Sequence, residues 1–356
     1  MKIKIGMIGA GGIATKKHLP ELLKLSDVEL TAVANRSTSS AAQAAELFGF
    51  KRVYEQWTEV IDDPEVNAVF VCTPPYLHST AVEYALQQGK HVFCQARMAM
   101  DLQDAVWMAE MERGTHLTTM LCPPPHYMAV EPSILALVDH HEIGDIRHIS
   151  ISHPTKKFIR SNSPLPWRQR KDIQGINALE IGVAAEVLLK WFGPVSRLGA
   201  IGKNWIDQYA PDPEGYTKPE LPDTVSIVGQ FASGALLTAL FTGVVQGGRE
   251  HMTIYGSEGT ITCFPHETYY MLNRGGGEQR VDVPLEQQGR WSVEQDFIEA
   301  VRTGKKGTPN FSTGLEYMRF TQTVMDAMLE NRSDPVRSRE VLSWHNYNPA
   351  AVPGKD

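Results

Sequence analysis

The placement of glycines in the opening segment constrains this chain more than any other feature. Ile3-Lys4-Ile5-Gly6-Met7-Ile8 is an apolar run of buried-strand character, and it breaks into Gly9-Ala10-Gly11-Gly12-Ile13-Ala14. A helix-like stretch over residues 14–25 follows, interrupted by Pro20. Gly-x-Gly-x-x-Ala between a strand and a helix is a fingerprint for dinucleotide binding. Each small residue has a separate task. Gly9 permits the tight turn, Gly11 lets the backbone approach a pyrophosphate, and Ala14 keeps helix and strand close. The helix N-terminus then offers N–H groups and the positive end of its dipole to the phosphates. Gly12 and Ile13 complete the loop as cofactor-binding candidates.

At 356 residues the chain has room for two domains. With 42% hydrophobic and 21% charged residues it has the composition of an ordinary globular protein. Its net charge of −7 and lack of a Lys/Arg block argue against nucleic acid as a partner. The apolar stretches are too short or too interrupted to span a bilayer. The sequence runs straight into a strand without a signal-peptide cleavage pattern, which leads to the expectation of a cytoplasmic protein. Cys72, Cys94, Cys122 and Cys263 are scattered and form no CxxC pair, so neither a disulfide framework nor a metal site is expected.

The first third alternates strand and helix. Strands are expected at residues 28–34, 68–72, 91–94 and 117–122. Helices are expected at 40–48, at 79–88 ending on Gly89, and at 101–113 capped by Asp101. Repeated β-α units of this length specify a parallel sheet with right-handed crossovers. After Pro123-Pro124-Pro125 and a helix over 131–139 the pattern changes. Strands at 146–152, 195–201, 226–231, 235–242, 251–255 and 260–262 indicate a mainly antiparallel open sheet. Helices are expected at 177–191, 291–301 and 313–331, with a Pro/Asp/Gly-rich loop at 209–222. The expected fold is thus an α/β domain with a doubly wound parallel sheet, residues 1–122, followed by an α+β domain, residues 123–356.

Several segments beyond the fingerprint resemble the Gfo/Idh/MocA oxidoreductases across nearly the whole length. Thr73-Pro74-Pro75-Tyr76-Leu77-His78 is similar to that family's T-P-x-x-x-H. Further similarity comes from Gly89-Lys90-His91-Val92-Phe93-Cys94, Glu142-Ile143-Gly144-Asp145-Ile146, Pro166-Trp167-Arg168 and Tyr255-Gly256-Ser257-Glu258-Gly259-Thr260. The resemblance implies a Rossmann domain and a substrate domain whose open sheet pairs face to face in a homodimer or homotetramer. It implies a carbohydrate, polyol or related CH–OH/ketone substrate. It also adds Thr73, Pro74, His78, Gln95, Trp167 and Arg168 as cofactor-binding residues.

The departures fall where that family keeps its acid–base groups. Its E-K-P element is replaced by Gln95-Ala96-Arg97, and its helical D-x-x-x-H by Glu180 and Ala184. Alcohol oxidation needs a partner for the hydroxyl proton. Glu180 is the first candidate, because desolvation among Leu179, Ile181 and Val183 would raise its pKa. The alternative is a buried carboxylate paired with an arginine. His126 and Tyr127 are further candidates at the domain junction. Arg97 either holds a substrate oxygen or forms a salt bridge. Asn177 can add a hydrogen bond, and Lys156 and Lys157 follow a second-domain strand. At the end of the second strand, Asn35-Arg36-Ser37 contains no carboxylate to accept from the ribose hydroxyls. Arg36 can pair with a 2′-phosphate, which favours NADP, and Asn35 leaves NAD open. Two other functions fit the altered residues: a carbohydrate lyase or glycosidase-like enzyme retaining its nicotinamide, and a nucleotide-binding sensor or scaffold without catalysis.

Overall fold

The computed structural model describes residues 2–330. Six parallel strands form the first sheet: β1 (Ile3–Ile8), β2 (Val28–Ala34), β3 (Arg52–Tyr54), β4 (Ala68–Val71), β5 (His91–Cys94) and β6 (Thr119–Leu121). Their order is β3-β2-β1-β4-β5-β6. Every residue of β4 is buried, as its unbroken Ala-Val-Phe-Val sequence requires of a strand covered on both faces. Chain direction across the sheet switches between β1 and β4, so the loops after these strands diverge and leave a crevice.

The helices of this half are α1 (Leu19–Leu22), α2 (Thr38–Phe48), α3 (Trp57–Asp62), α4 (His78–Gln87) and α5 (Leu102–Gly114). A π-helical turn at Ala14–His18 leads into α1. Pro20 has no N–H and its ring crowds the carbonyl four residues earlier, which accounts for the widened turn. The Asp101 side chain caps α5 by accepting from the Asp104 N–H at 2.9 Å, as expected.

Helix α6 (Glu131–Asp139) opens the second half. Its sheet contains β7 (Ile146–Pro154), β8 (Val195–Lys203), β9 (Thr224–Phe231), β10 (Leu236–Thr242), β11 (His251–Gly256), β12 (Thr260–Cys263), β13 (Tyr269–Asn273) and β14 (Glu278–Asp282). The order is β14-β13-β12-β11-β7-β10-β9-β8. Only β7 and β10 pair in parallel; the other described pairs are antiparallel. The sequence reading lacked β3, β13 and β14. Each is short and half-buried or exposed, and the edge strand β14 is mostly charged or amide, so no period-2 apolar signal marks it.

The remaining helices are α7 (Lys171–Gln174), α8 (Ile181–Phe192), α9 (Val293–Thr303) and α10 (Phe311–Glu330). Asn331, the expected last residue of α10, lies outside the described residues. The division at residue 122 is crossed by the C-terminal helices. Phe297 of α9 packs on Phe70 at 5.3 Å and on Phe93 at 5.7 Å, inside the first domain's core. The hydroxyl of Tyr317 on α10 accepts the Met98 N–H at 2.6 Å. Among the described residues no helix is long and apolar enough to cross a membrane.

One expected element is corrected. The helix placed at 177–191 begins only at Ile181. Gly175 has φ +61° and lies so close to the Met100 backbone that a Cβ would meet its carbonyl oxygen at 1.8 Å. Leu179 also adopts positive φ, at 51°. Residues 175–180 therefore form a loop pressed against the segment after β5, held by Ile176 N–H to the Met100 carbonyl at 2.8 Å.

Candidate active site

A cleft of about 1420 Å³ runs from the glycine turn, across the ends of β1 and β4, to the junction with the second domain. Gly9 has φ +92°, and a Cβ there would sit 2.9 Å from the Cys72 backbone. Gly11 and Gly12 differ: a Cβ on either would meet nothing within 4 Å, so their backbone faces open space in the cleft. Asn35 stiffens this turn by accepting the Ala10 N–H on Oδ1 at 2.7 Å. Ile13, Arg36, Thr73, Pro74, Gln95, Trp167 and Arg168 also line the cleft. Arg36 is exposed. Arg168 stacks its guanidinium 4.2 Å over the Trp167 ring.

Three of the expected cofactor residues do not line the cleft: Ala14 and His78 are buried, and Ser37 is exposed at the start of α2. Ala14 is fully buried and packs helix against strand. Ser37 is the N-cap of α2, its Oγ accepting from the Ser40 N–H at 3.3 Å. His78 is fully buried, with Nε2 2.7 Å from the Thr73 carbonyl and Nδ1 3.1 Å from the Met98 carbonyl. It ties together the loops after β4 and β5, and its touching a cofactor is corrected on that ground.

Gln95 is held from below. His18 Nε2 lies 2.7 Å from Gln95 Oε1, and His18 Nδ1 bonds the Glu294 carboxylate. The other Glu294 oxygen accepts from Trp291 Nε1 at 2.8 Å. His18 and Glu294 are both buried, and the sequence reading named neither.

At the inner end, Glu180 stands just before α8 and joins two cations. Its Oε2 accepts from Arg97 at 2.8 Å and its Oε1 from Lys157 at 2.7 Å. Burial alone would raise its pKa, but Arg97 and then Lys157 outweigh burial and hold the carboxyl at about 2. The expectation of a raised pKa is thus corrected, and the paired-carboxylate alternative describes the geometry. Arg97 also donates to the Leu179 carbonyl, which ties the two loops.

His126 lines the cleft, and its buried Nδ1 has no partner among the described residues. Burial pushes its pKa down to about 4, against the attraction of Glu180. Its ring lies 4.9 Å from His266 and 6.4 Å from His153. Tyr127 points elsewhere: it is buried in the second-domain core, 5.9 Å from Trp191, and burial drives its phenol pKa upward. Its proposed proton role is corrected, because a buried phenol behind the wall reaches no substrate. Lys156 is exposed and does not line the cleft; its neighbour Lys157 does the reaching. Asn177 is buried beside Glu180 in the inner recess. His153 was missed. A signal was present, since it follows Ile149 and Ile151 in the inward period-2 register of β7. Among the described residues no cluster of three or more His, Cys, Asp or Glu side chains is arranged to hold a metal.

Comparisons with known proteins agree with this layout. The profile of the Gfo/Idh/MocA oxidoreductase family, NAD-binding Rossmann fold, matches residues 3–121, and the family's C-terminal domain matches residues 133–262. A dTDP-3,4-didehydro-2,6-dideoxy-alpha-D-glucose 3-reductase of Streptomyces violaceoruber is 30% identical over 329 residues, 86% of this chain and 87% of that protein. Levoglucosan dehydrogenase of Pseudarthrobacter phenanthrenivorans is 24% identical over 339 residues, 83% of this chain and 86% of that one. A solved structure of levoglucosan dehydrogenase in complex with NADH and levoglucosan superposes with a TM-score of 0.80 at 21% identity, covering 93% of this chain and 98% of that chain. That structural likeness establishes a shared fold.

Proposed function

The chain belongs to the Gfo/Idh/MocA oxidoreductase family, and from that premise we propose that it moves hydride between a nicotinamide dinucleotide and a CH–OH carbon of a sugar or polyol. The observation that carries this reading is the open backbone at Gly11 and Gly12, in a cleft shared with polar residues of the second domain. A diphosphate fits there, because nothing would stand where a Cβ is missing. A bound nicotinamide supplies the hydride acceptor or donor. The relatives' names give the substrate class its support, since one is a levoglucosan dehydrogenase and the other a reductase of a dTDP-linked deoxyglucose.

The remaining assignments concern this chain's own side chains. Arg36, exposed at the adenosine end with no acidic neighbour in Asn35-Arg36-Ser37, is the basis for preferring NADP over NAD. Trp167 and Arg168 approach the dinucleotide from the second domain. His126, neutral with a free Nδ1, and Lys157, bonded to Glu180, take the proton-handling role left by alanine at position 96. The outward face of the second sheet, carrying Val228, Leu236, Leu240 and Tyr255, is the proposed contact between copies in a homodimer or homotetramer.

Titration with NADPH and NADH, followed by the fluorescence of the reduced nicotinamide, tests the first step. Binding of NADPH in preference to NADH is expected, and preference for NADH would remove the role given to Arg36. Binding of neither would overturn the enzyme reading. His126→Ala and Lys157→Met should each lower turnover at least tenfold with dinucleotide affinity kept within about twofold. Full rate in both variants would overturn the proton assignment.

A further inference from the structure

Gln174, the last residue of α7, is held in place by its main chain alone. Its N–H donates to the Arg170 carbonyl at 3.0 Å, and its own carbonyl accepts from Asn177 Nδ2 at 2.6 Å. The residues just beyond it are pinned to the first domain. Ile176 N–H donates to the Met100 carbonyl at 2.8 Å, and Asn177 Nδ2 to the Ala99 carbonyl at 2.7 Å. On the other side, α7 packs against the Pro75–Leu77 turn that follows β4. The side chain takes no part in this. Gln174 is 1% exposed and lines the cleft, yet neither its Oε1 nor its Nε2 has a partner among the described residues. A rigid backbone thus carries a desolvated carboxamide with a donor and an acceptor both unused, which is costly unless something else pairs with them.

The topology narrows what that partner is. The strand order places β2 on one side of β1 and β4 and β5 on the other. With a diphosphate over Gly11 and Gly12 and adenosine toward Arg36 at the end of β2, the second nucleoside of a dinucleotide would extend over the ends of β4 and β5. The loops after those two strands are the ones that α7 and residues 175–177 pack against. Two further buried atoms without a partner among the described residues belong to the same loops and line the cleft with Gln174: Thr73 Oγ1 and Arg97 Nε. Arg97 can only donate there, Thr73 can donate or accept, and Gln174 offers both. A diphosphate only accepts, so it would leave Gln174 Oε1 unpaired. A carboxamide or a ribose hydroxyl both accepts and donates, and a nicotinamide riboside carries the two together.

We propose that Gln174 binds the nicotinamide-riboside half of the dinucleotide, with Nε2 donating to, and Oε1 accepting from, its carboxamide or ribose hydroxyls. The second domain then takes part in cofactor recognition through α7, at a residue that none of the family-like motifs contains. The proposal rests on the nicotinamide-dinucleotide reading of the cleft.

Fluorescence titration with NADPH and NADH, beside calorimetric titration with ADP, which lacks the nicotinamide half, tests it. Gln174→Met keeps the length of the side chain and removes both polar atoms. It should weaken the tighter-binding reduced dinucleotide about tenfold and leave ADP within about twofold. Because two unpaired buried atoms are removed, the Tm of the free protein should hold or rise. Gln169→Met is the control. Gln169 is equally buried, with both amide atoms unpartnered among the described residues, but it does not line the cleft, and its variant should keep dinucleotide affinity within about twofold. The reduced 3-acetylpyridine analogue, with a methyl where the carboxamide has its N–H2, separates the two partners. A penalty for the analogue that disappears in Gln174→Met assigns Gln174 to the carboxamide, and a difference that is the same in both proteins assigns it to the ribose hydroxyls. Should the variant fail to fold, hydrogen exchange of the unaltered protein gives a second reading: the reduced dinucleotide should slow exchange over residues 171–177 and ADP should not. Unchanged dinucleotide affinity in Gln174→Met, an equal loss of ADP affinity, or the same exchange over α7 with either ligand overturns the proposal. Absence of binding by the dinucleotides and ADP alike is a different result, and it overturns the functional reading on which this one rests.

Discussion

Glu180 shows how a single residue changes meaning once its neighbours are known. In the sequence it stands among apolar residues, and desolvation argues for an elevated pKa. In the fold, Arg97 arrives from the loop after β5 and Lys157 from the end of β7, and the carboxyl is held at about 2. A carboxyl with a folded pKa below its ordinary 4.5 contributes stability that is fully present above about pH 4.5 and is lost as pH falls toward 2. Glu180→Gln should therefore cost about 2 kcal/mol near neutral pH. Thermal melts of both proteins across the acid range should converge toward pH 2. A gap of constant size would mean that the charge contributes nothing. His126 titrates lower than a free histidine for a simpler reason, namely burial, so it is neutral at the pH where the enzyme would work.

At the scale of elements, the glycine turn is positioned by more than its own sequence. The π-helical turn before α1 carries His18 beneath Gln95, and α9 supplies Glu294 to hold it. Phe70, Phe93 and Phe297 surround the same place, with the first two stacked at 4.5 Å. This buried polar link joins a C-terminal helix to the strand ends that form the cleft. Glu294→Ala leaves His18 and Trp291 without their acceptor and should destabilise the protein by about 3–5 kcal/mol, while Glu294→Gln, keeping the shape, costs less. Differential scanning fluorimetry would read this as a large fall in Tm for the alanine variant. An unchanged Tm would show that α9 docks through its phenylalanine alone.

The whole molecule pairs a parallel sheet whose central strand is buried on both faces with a second sheet that leaves one face exposed. The second sheet's outward face alternates in the manner of a half-covered surface: Val228 and Leu236 are exposed while Ile227 and Leu237 are buried. Strand pairing sets Tyr255 and Leu236 on either side of His148, whose ring stacks on Tyr255 at 5.4 Å. An exposed apolar stripe of this kind is what the proposed contact between copies would cover. Leu236→Asp combined with Val228→Lys should dissociate the proposed assembly without loss of dinucleotide binding. Light scattering after size exclusion would detect the change in mass. An unchanged mass would remove this face from the contact.

Local chemistry was enough to determine much of this protein. The glycine turn, the β-α alternation through residue 121, the Asp101 cap and the change to an antiparallel sheet all follow from spacing and from which residues tolerate a given backbone. The glycine-turn end of the cleft was legible for the same reason, because Gly9 to Ile13 and Arg36 sit where consecutive elements must turn. The inner end was not. Glu180, Arg97 and Lys157 come from three separated segments, and Asn177 reaches the Ala99 carbonyl across 78 residues of chain. His18 and Glu294 are 276 residues apart and meet only because α9 returns to the first domain. Charge state and hydrogen-bond polarity at such positions depend on distance in space, and only the tertiary structure decided them.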